Sequence, residues 1–180
     1  VLDCLPVEGA NWKASPEEEA RRADFRDLDV CSIDPPGCTD IDDALHARPL
    51  PNGLWEVGVH IADVTHFVLP STPMDLEASK RATSVYLVDR RIDMLPELLG
   101  SDLCSLHQHV DRLAFSVIFI FDQSNNIIDR RYCKSIIRSK ASFTYDQAQA
   151  ILDNDNDSSP IARSIKQLAQ IARRLRAQRM

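Results

Sequence analysis

At 180 residues, 44% hydrophobic and 27% charged, the chain has the length and composition of one soluble globular domain or part of one. Its net charge of −6 at pH 7 excludes a uniformly basic, phosphate-binding surface, so any path for nucleic acid has to be local. The longest apolar stretch, around Val117–Phe121, is far too short to cross a bilayer, no targeting signal is evident, and the five irregularly spaced cysteines lack a C-x-x-C pair. Such cysteine usage predicts reduced, mostly buried thiols in an intracellular protein, without structural zinc.

Residues 1–23 read as an entry segment ending in a short helix, with Ser15 as N-cap, Pro16 in the first turn and Glu18 three residues after the cap. Val30–Ile33 is then a short strand. It leads into Asp34–Asp43, D-P-P-G-C-T-D-I-D-D, which holds four carboxylates with no Lys or Arg between Arg26 and Arg48. Two such charges about 6 Å apart repel by roughly 0.7 kcal/mol in water and about 3 kcal/mol at an effective dielectric near 20. The acids either point apart into solvent, share protons, or surround a cation. The stiff Pro35–Pro36–Gly37 turn favours the third arrangement, because it can fold Asp34 back toward Asp40, Asp42 and Asp43. Convergent carboxylates suit Mg²⁺ or Mn²⁺, not zinc. A calcium-hand register fails, since Pro51 stands where a bidentate Glu is needed. From spacing alone, a metal site and an acidic surface loop are equal alternatives.

Ala44–Ala47 and Leu54–Ile61 form a predicted hairpin around Asn52–Gly53, a strong turn signal that would bring His60 and Asp63 near the acids. Both read as buried hydrogen-bonding residues. Asp75–Ala82 is helical in pattern and Ser84–Val88 is β-prone. Alternation would turn Tyr86 to the opposite face from Val85 and Leu87, which by itself suggests core packing. Arg90 and Arg91 are expected to pair with Asp89 and Asp93 in preference to phosphate. Pro96–Ser105 reads as a short helix and turn, and Leu113–Asp122 as a strand. Ile127–Tyr145 is one long β-like stretch whose Arg130, Arg131, Lys134, Arg138 and Lys140 suit a nucleic-acid track or an exposed strand face equally. Thr144 caps a helix to Asp153. From Ser159 a basic helix carries an apolar stripe, Ile161, Ile165, Leu168, Ile171 and Leu175, that is expected to lie exposed and to await a packing partner outside the chain. The predicted fold is α+β: a mixed, mainly antiparallel sheet from about Val30 to Phe143, with helices covering one side.

Three stretches, C-S-I-D-P-P-G-C-T-D-I-D-D-A-L at 31–45, V-G-V-H-I-A-D-V at 57–64 and Y-L-V-D-R-R-I-D-M-L-P at 86–96, resemble the RNase II/RNase R (RNB) exoribonucleases. Within that family the resemblance is to the eukaryotic exosome-associated members, and it runs from about Asp24 to the end. It implies that residues 24–180 are the N-terminal part of an RNB catalytic domain. The implied activity is hydrolytic, metal-dependent 3′→5′ degradation of single-stranded RNA to nucleoside 5′-monophosphates, with Mg²⁺ or Mn²⁺ as cofactor. Asp34, Asp40 and Asp43 are the expected metal ligands, Asp42 the catalytic carboxylate, and Tyr86 a ring stacked on a base near the RNA 3′ end. His60 and Asp63 become support for the site. Exosome core subunits are expected partners, with no membrane and no preference for DNA, and the expected location is intracellular, in nucleus, cytoplasm or both. The family's catalytic domain continues past this helix, so the isolated chain is expected not to degrade RNA processively. The alternative is a non-catalytic RNA-binding or scaffold module of the same assembly, against which retention of all four acids argues.

Overall fold

The computed structural model describes residues 1–179. Its strands are β1 (Ala23–Asp24), β2 (Cys31–Asp34), β3 (Asp43–Pro49), β4 (Trp55–Ala62), β5 (Val85–Tyr86), β6 (Arg91–Ile92), β7 (Asp111–Phe121), β8 (Ile127–Arg138) and β9 (Ala141–Thr144). Its helices are α1 (Pro16–Ala20), α2 (Pro73–Arg81), α3 (Tyr145–Asp153) and α4 (Pro160–Gln178). Seven strands form one sheet in the order β1-β8-β7-β4-β3-β2-β9, and β5 and β6 form a separate small hairpin. The β1–β8 and β2–β9 pairings are parallel and the others in the large sheet antiparallel. The α+β reading from sequence holds.

The single β stretch expected over 127–145 is two strands. Only Ser139 and Lys140 separate β8 from β9, yet β9 lies at the far edge of the sheet beside β2. A two-residue link spans little more than about 10 Å between flanking Cα atoms, so the sheet must roll until its two edges meet. A bond from the Lys140 amide to the Val30 carbonyl at 2.7 Å locks the seam, and the parallel pairing of β2 with β9 continues it. Sequence periodicity saw continuous β character because both pieces are extended, and the break is set by partners more than a hundred residues away.

Local signals place the other elements. Ser15, Thr72, Thr144 and Ser159 each accept the first-turn amide of their helix, and Thr144 with Gln147 forms a reciprocal capping box. Asn52 and Gly53 both adopt left-handed backbone, with φ of 64° and 73°, which turns β3 back into β4. The register Asp43↔Ile61 through Pro49↔Trp55 results, carrying Asp43 and the end of β4 to the same edge.

Helical segments lie on both faces of the sheet, not on one. On the inner face, Ala44, Ala62, Ala114, Ile118 and Ile137 pack with Met74 of α2 and with Leu99 and Leu103 of a π-helical turn, Leu98–Leu103. On the outer face, Ala47, Val57 and Phe121 pack with Ile171, Leu168 and Leu175 of α4. The stripe of α4 therefore finds its partner within the chain, contrary to the expectation from sequence. The Ala47 amide donates to Ser164 Oγ at 2.7 Å, and Lys166 and Arg174 bind loop acceptors at Asn154, Asp157 and Asn126. An open apolar groove of about 380 Å³ is left beside the stripe, lined by Ile33, Leu45, Val59 and Leu152 among others.

Inside the rolled sheet a chain of polar groups is fully satisfied. His46 Nδ1 and His60 Nε2 are 2.8 Å apart, His60 Nδ1 lies 2.7 Å from Ser116 Oγ, and Ser116 meets Ser135 at 2.6 Å. Burial pushes the His60 pKa down to about 3, so the pair is neutral and each ring can both donate and accept. Gly58, cross-strand from His46, is small because the rings need its space: a Cβ there would collide with the His46 ring and sit 2.8 Å from His60 Nε2. Gly58→Ala is expected to destabilise the fold by about 1–3 kcal/mol. Urea titration of variant and parent at pH 7 measures this, and an unchanged midpoint would show that the pair relaxes freely.

Candidate active site

Ile41 stands in the middle of the acidic stretch and is 3% exposed, packed in the main core. Its amide donates to Ser105 Oγ at 3.0 Å, and its carbonyl accepts the Leu106 amide at 2.9 Å. With Ile41 pinned inward, Asp40 and Asp42 are forced outward on either side of it. Asp43 opens β3 opposite Ile61, and the Asp42 carbonyl accepts the Ala62 amide at 2.9 Å. Gly37, with φ of 80°, lets the Pro35–Gly37 turn bring the chain back past Asp34.

Charge couples Asp42 and Asp43 to their acidic neighbours. Partial burial raises the pKa of Asp42, and the charges of Asp40, Asp43 and Asp34 raise it further. Burial and, after it, the Asp34 charge raise that of Asp43. Asp42 and Asp43 keep exposed surface, so the loop walls crowd these carboxylates without sealing them from water. Asp34 Oδ2 is buried and has no hydrogen-bond partner, a costly state for a carboxylate oxygen.

Tyr86 is not a core residue: it is 70% exposed on the β5–β6 hairpin, and its hydroxyl donates to Asp40 Oδ2 at 3.4 Å. Asp40, Asp42, Tyr86, Arg91 and Asp93 line one cleft of about 320 Å³. Arg91 pairs with Asp93, as expected, and with Asp40 at 2.9 Å, which spacing could not foresee. Partial desolvation acts against Arg91's charge, but Asp93 and Asp40 outweigh it and raise its pKa. The hairpin register places the arginine directly across from Tyr86.

His60 and Asp63 are buried hydrogen-bonding residues, as their positions in the sequence suggested. Asp63 is 3% exposed and pairs with Arg22 at 2.7 Å and Lys134 at 3.1 Å. Burial opposes its charge, but bonds from Thr65, Arg22 and Lys134 prevail and hold it below the usual carboxylate range. The basic residues of β8 are largely committed to acids: Arg131 to Glu56 at 3.5 Å, Lys134 to Asp63, and Arg138 to Asp111 at 2.6 Å. That commitment favours the strand-face reading over the track. All five cysteines are free, and burial pushes Cys31 and Cys104 up to about 12, so those thiols are unreactive.

The donor set at the loop is carboxylate oxygen alone, with one buried oxygen orphaned, which fits a hard divalent cation in chemistry. In geometry, no three of the His, Cys, Asp and Glu side chains among the described residues stand close enough to share one ion. Asp34, Asp40 and Asp43 therefore do not converge on one ion position as they stand.

Fold and site together define an α+β domain with an acidic loop between the end of β2 and the start of β3. The RNB domain model matches residues 22–180, and the chain belongs to that family. It is 55% identical over 184 residues to exosome complex exonuclease dis3 of Schizosaccharomyces pombe, covering 100% of this chain and 19% of that protein. It superposes with a TM-score of 0.85 and 30% identity on RNase R of Mycoplasma genitalium in complex with ribose-methylated single-stranded RNA, covering 98% of this chain and 28% of that one. Yeast Ssd1, a pseudonuclease, has the same fold, with a TM-score of 0.80, 25% identity, and coverage of 93% and 20%. The chain thus spans about a fifth of the length of the dis3 relative.

Because Asp42 holds its proton more tightly in the folded state, its ionised form opposes folding at neutral pH. Asp42→Asn is therefore expected to raise the melting temperature of the metal-free chain by about 1–3 °C at pH 7. Millimolar Mg²⁺ should raise the melting temperature of the parent more than that of the variant. Calorimetry with and without Mg²⁺ checks both, and a metal-free variant less stable than the parent would show that the ionised Asp42 does not oppose folding.

Proposed function

We propose that this chain is the acid-bearing part of a hydrolytic 3′→5′ exoribonuclease that takes single-stranded RNA and releases nucleoside 5′-monophosphates, working in an exosome-type assembly in the nucleus, the cytoplasm or both. The observation that carries the reading is the loop itself, in which a buried Ile41 turns Asp40 and Asp42 outward to one cleft, within a family whose relatives include named exonucleases. The Ssd1 likeness indicates that the fold alone does not decide turnover, so the acids carry the argument.

In the proposed reaction a water oxygen attacks the last phosphodiester phosphorus. The bond from phosphorus to the penultimate 3′ oxygen breaks, and that oxygen takes up a proton. Mg²⁺ or Mn²⁺ supplies, when bound, positive charge against the phosphate and the departing oxygen. Asp34, Asp40 and Asp43 would hold it. Asp42 has the raised pKa suited to orienting the attacking water and receiving its proton. Tyr86 offers an exposed ring at the mouth of the same cleft, and stacking on a base contributes about 1–3 kcal/mol regardless of sequence. Such a contact suits a general degrader, and DNA is not expected to be preferred. The name of the dis3 relative supports the exosome setting, and the RNA complex of RNase R supports the substrate class.

In the intact exonuclease, Asp42→Asn is expected to abolish single-turnover cleavage of end-labelled RNA while leaving affinity at or above the parent's. The carboxamide cannot take the proton, but one repulsive charge toward phosphate is gone. Turnover within about tenfold of the parent, equivalent to about 1.4 kcal/mol of barrier, would remove Asp42 from the mechanism. Tyr86→Ala should lengthen the limit products on a sizing gel, because stacking matters most when few nucleotides remain bound. End products of unchanged length would detach Tyr86 from the substrate.

A further inference from the structure

We infer that Ser105 is the positioning residue of the acidic loop, holding the peptide groups on both sides of Asp40 so that the carboxylates of Asp40 and Asp42 face the same cleft. The inference rests on the reading of that loop as the hydrolytic centre, and no expectation from sequence singled out this serine. Ser105 is 1% exposed. Its hydroxyl accepts the Ile41 amide at 3.0 Å and donates to the Thr39 carbonyl at 2.9 Å. One side chain thus satisfies a donor and an acceptor that bracket Asp40. The next residue repeats the hold, with the Leu106 amide 2.9 Å from the Ile41 carbonyl.

Ser105 is itself anchored from behind. Its carbonyl accepts Arg112 Nε at 2.9 Å, and Arg112 Nη2 pairs with Asp102 at 2.7 Å. The same segment also reaches the Asp40 carboxylate, since Ser101 Oγ accepts Arg91 Nη2 at 2.7 Å and Arg91 pairs with Asp40. Ser101 and Asp102 belong to the π-helical turn, a motif frequent at functional sites because its extra residue redirects the chain beyond it. A serine that only filled the core would bind partners anywhere. Both partners of this hydroxyl lie in the loop, and breaking them frees the backbone torsions that set the direction of Asp40.

The test uses Ser105→Ala beside Ser164→Ala, which removes an equally buried hydroxyl that accepts a backbone amide far from the loop, at Ala47. Hydrogen exchange on the metal-free chain should show the amides of residues 40–43 exchanging about tenfold faster or more in Ser105→Ala alone, in line with loss of a buried hydrogen bond. Titration with Mn²⁺, read by water-proton relaxation, should give a dissociation constant raised about tenfold in Ser105→Ala and unchanged in Ser164→Ala. Should Ser105→Ala fail to fold, Ser105→Cys keeps the volume with a weaker hydrogen-bonding group and should move both readouts in the same direction. Loop amides as protected as the parent's, or equal effects from the two serines, would overturn the inference. A parent chain that binds no Mn²⁺, with the exchange result intact, would sink the metal reading of the loop and leave Ser105 as its positioning residue.

Discussion

The burial of one isoleucine organises this structure. Ile41 lies between Asp40 and Asp42, and sealing such a side chain from water is worth about 1.5–3 kcal/mol. Hydrogen bonds on its amide and carbonyl add to this, and together they oppose a repulsion that would otherwise splay the loop into solvent. Asp40 and Asp42 face one cleft because the apolar residue between them has only one place to go.

The anchor works only if its floor is rigid, and the rolled sheet provides that. The short link from β8 to the edge strand β9 sets β9 beside β2, so that Asp34 at the end of β2 lies alongside the chain that begins α3, while β3 and β4 carry Asp43 and Asp63 to the same end. The interior is polar where apolar side chains would not fit: Gly58 makes room for two stacked neutral histidines, and serines complete their bonding. The depressed His60 pKa makes that arrangement acid-sensitive. The unfolded chain takes up a proton near pH 6.5 that the folded chain refuses until about pH 3, so stability present above that window is lost as pH falls through it.

Elements whose cause is local were legible from the sequence. Helix caps at Ser15 and Thr144, the start of the last helix at Ser159 and the Asn52–Gly53 reversal each depend on residues within a few positions. The acid cluster was legible as a problem of charge. Tyr86 was not settled by alternation, because β5 is two residues long and lies outside the main sheet, where the face argument has no core to refer to. The features that stayed hidden depend on distant partners: the split of β8 from β9, the docking of α4 on β3 and β4, and the contacts of Ser105 and Arg91 with the loop. A serine in L-C-S-L gives no sign that its hydroxyl reaches back across sixty-four residues to Ile41.

Charge supplies a last constraint. The long basic stretch of β8 looked available to phosphate, but Arg131, Lys134 and Arg138 are held by Glu56, Asp63 and Asp111. Arg91, at the cleft itself, is shared by Asp40 and Asp93. Partial burial and, after it, the charges of neighbouring carboxylates raise the pKa values of Asp42 and Asp43. An anionic backbone approaching that edge meets like charge at short range, where solvent screens least. In the proposed reaction, positive charge would have to reach the loop together with the phosphate, and Arg91 could turn toward the substrate once another cation neutralises Asp40.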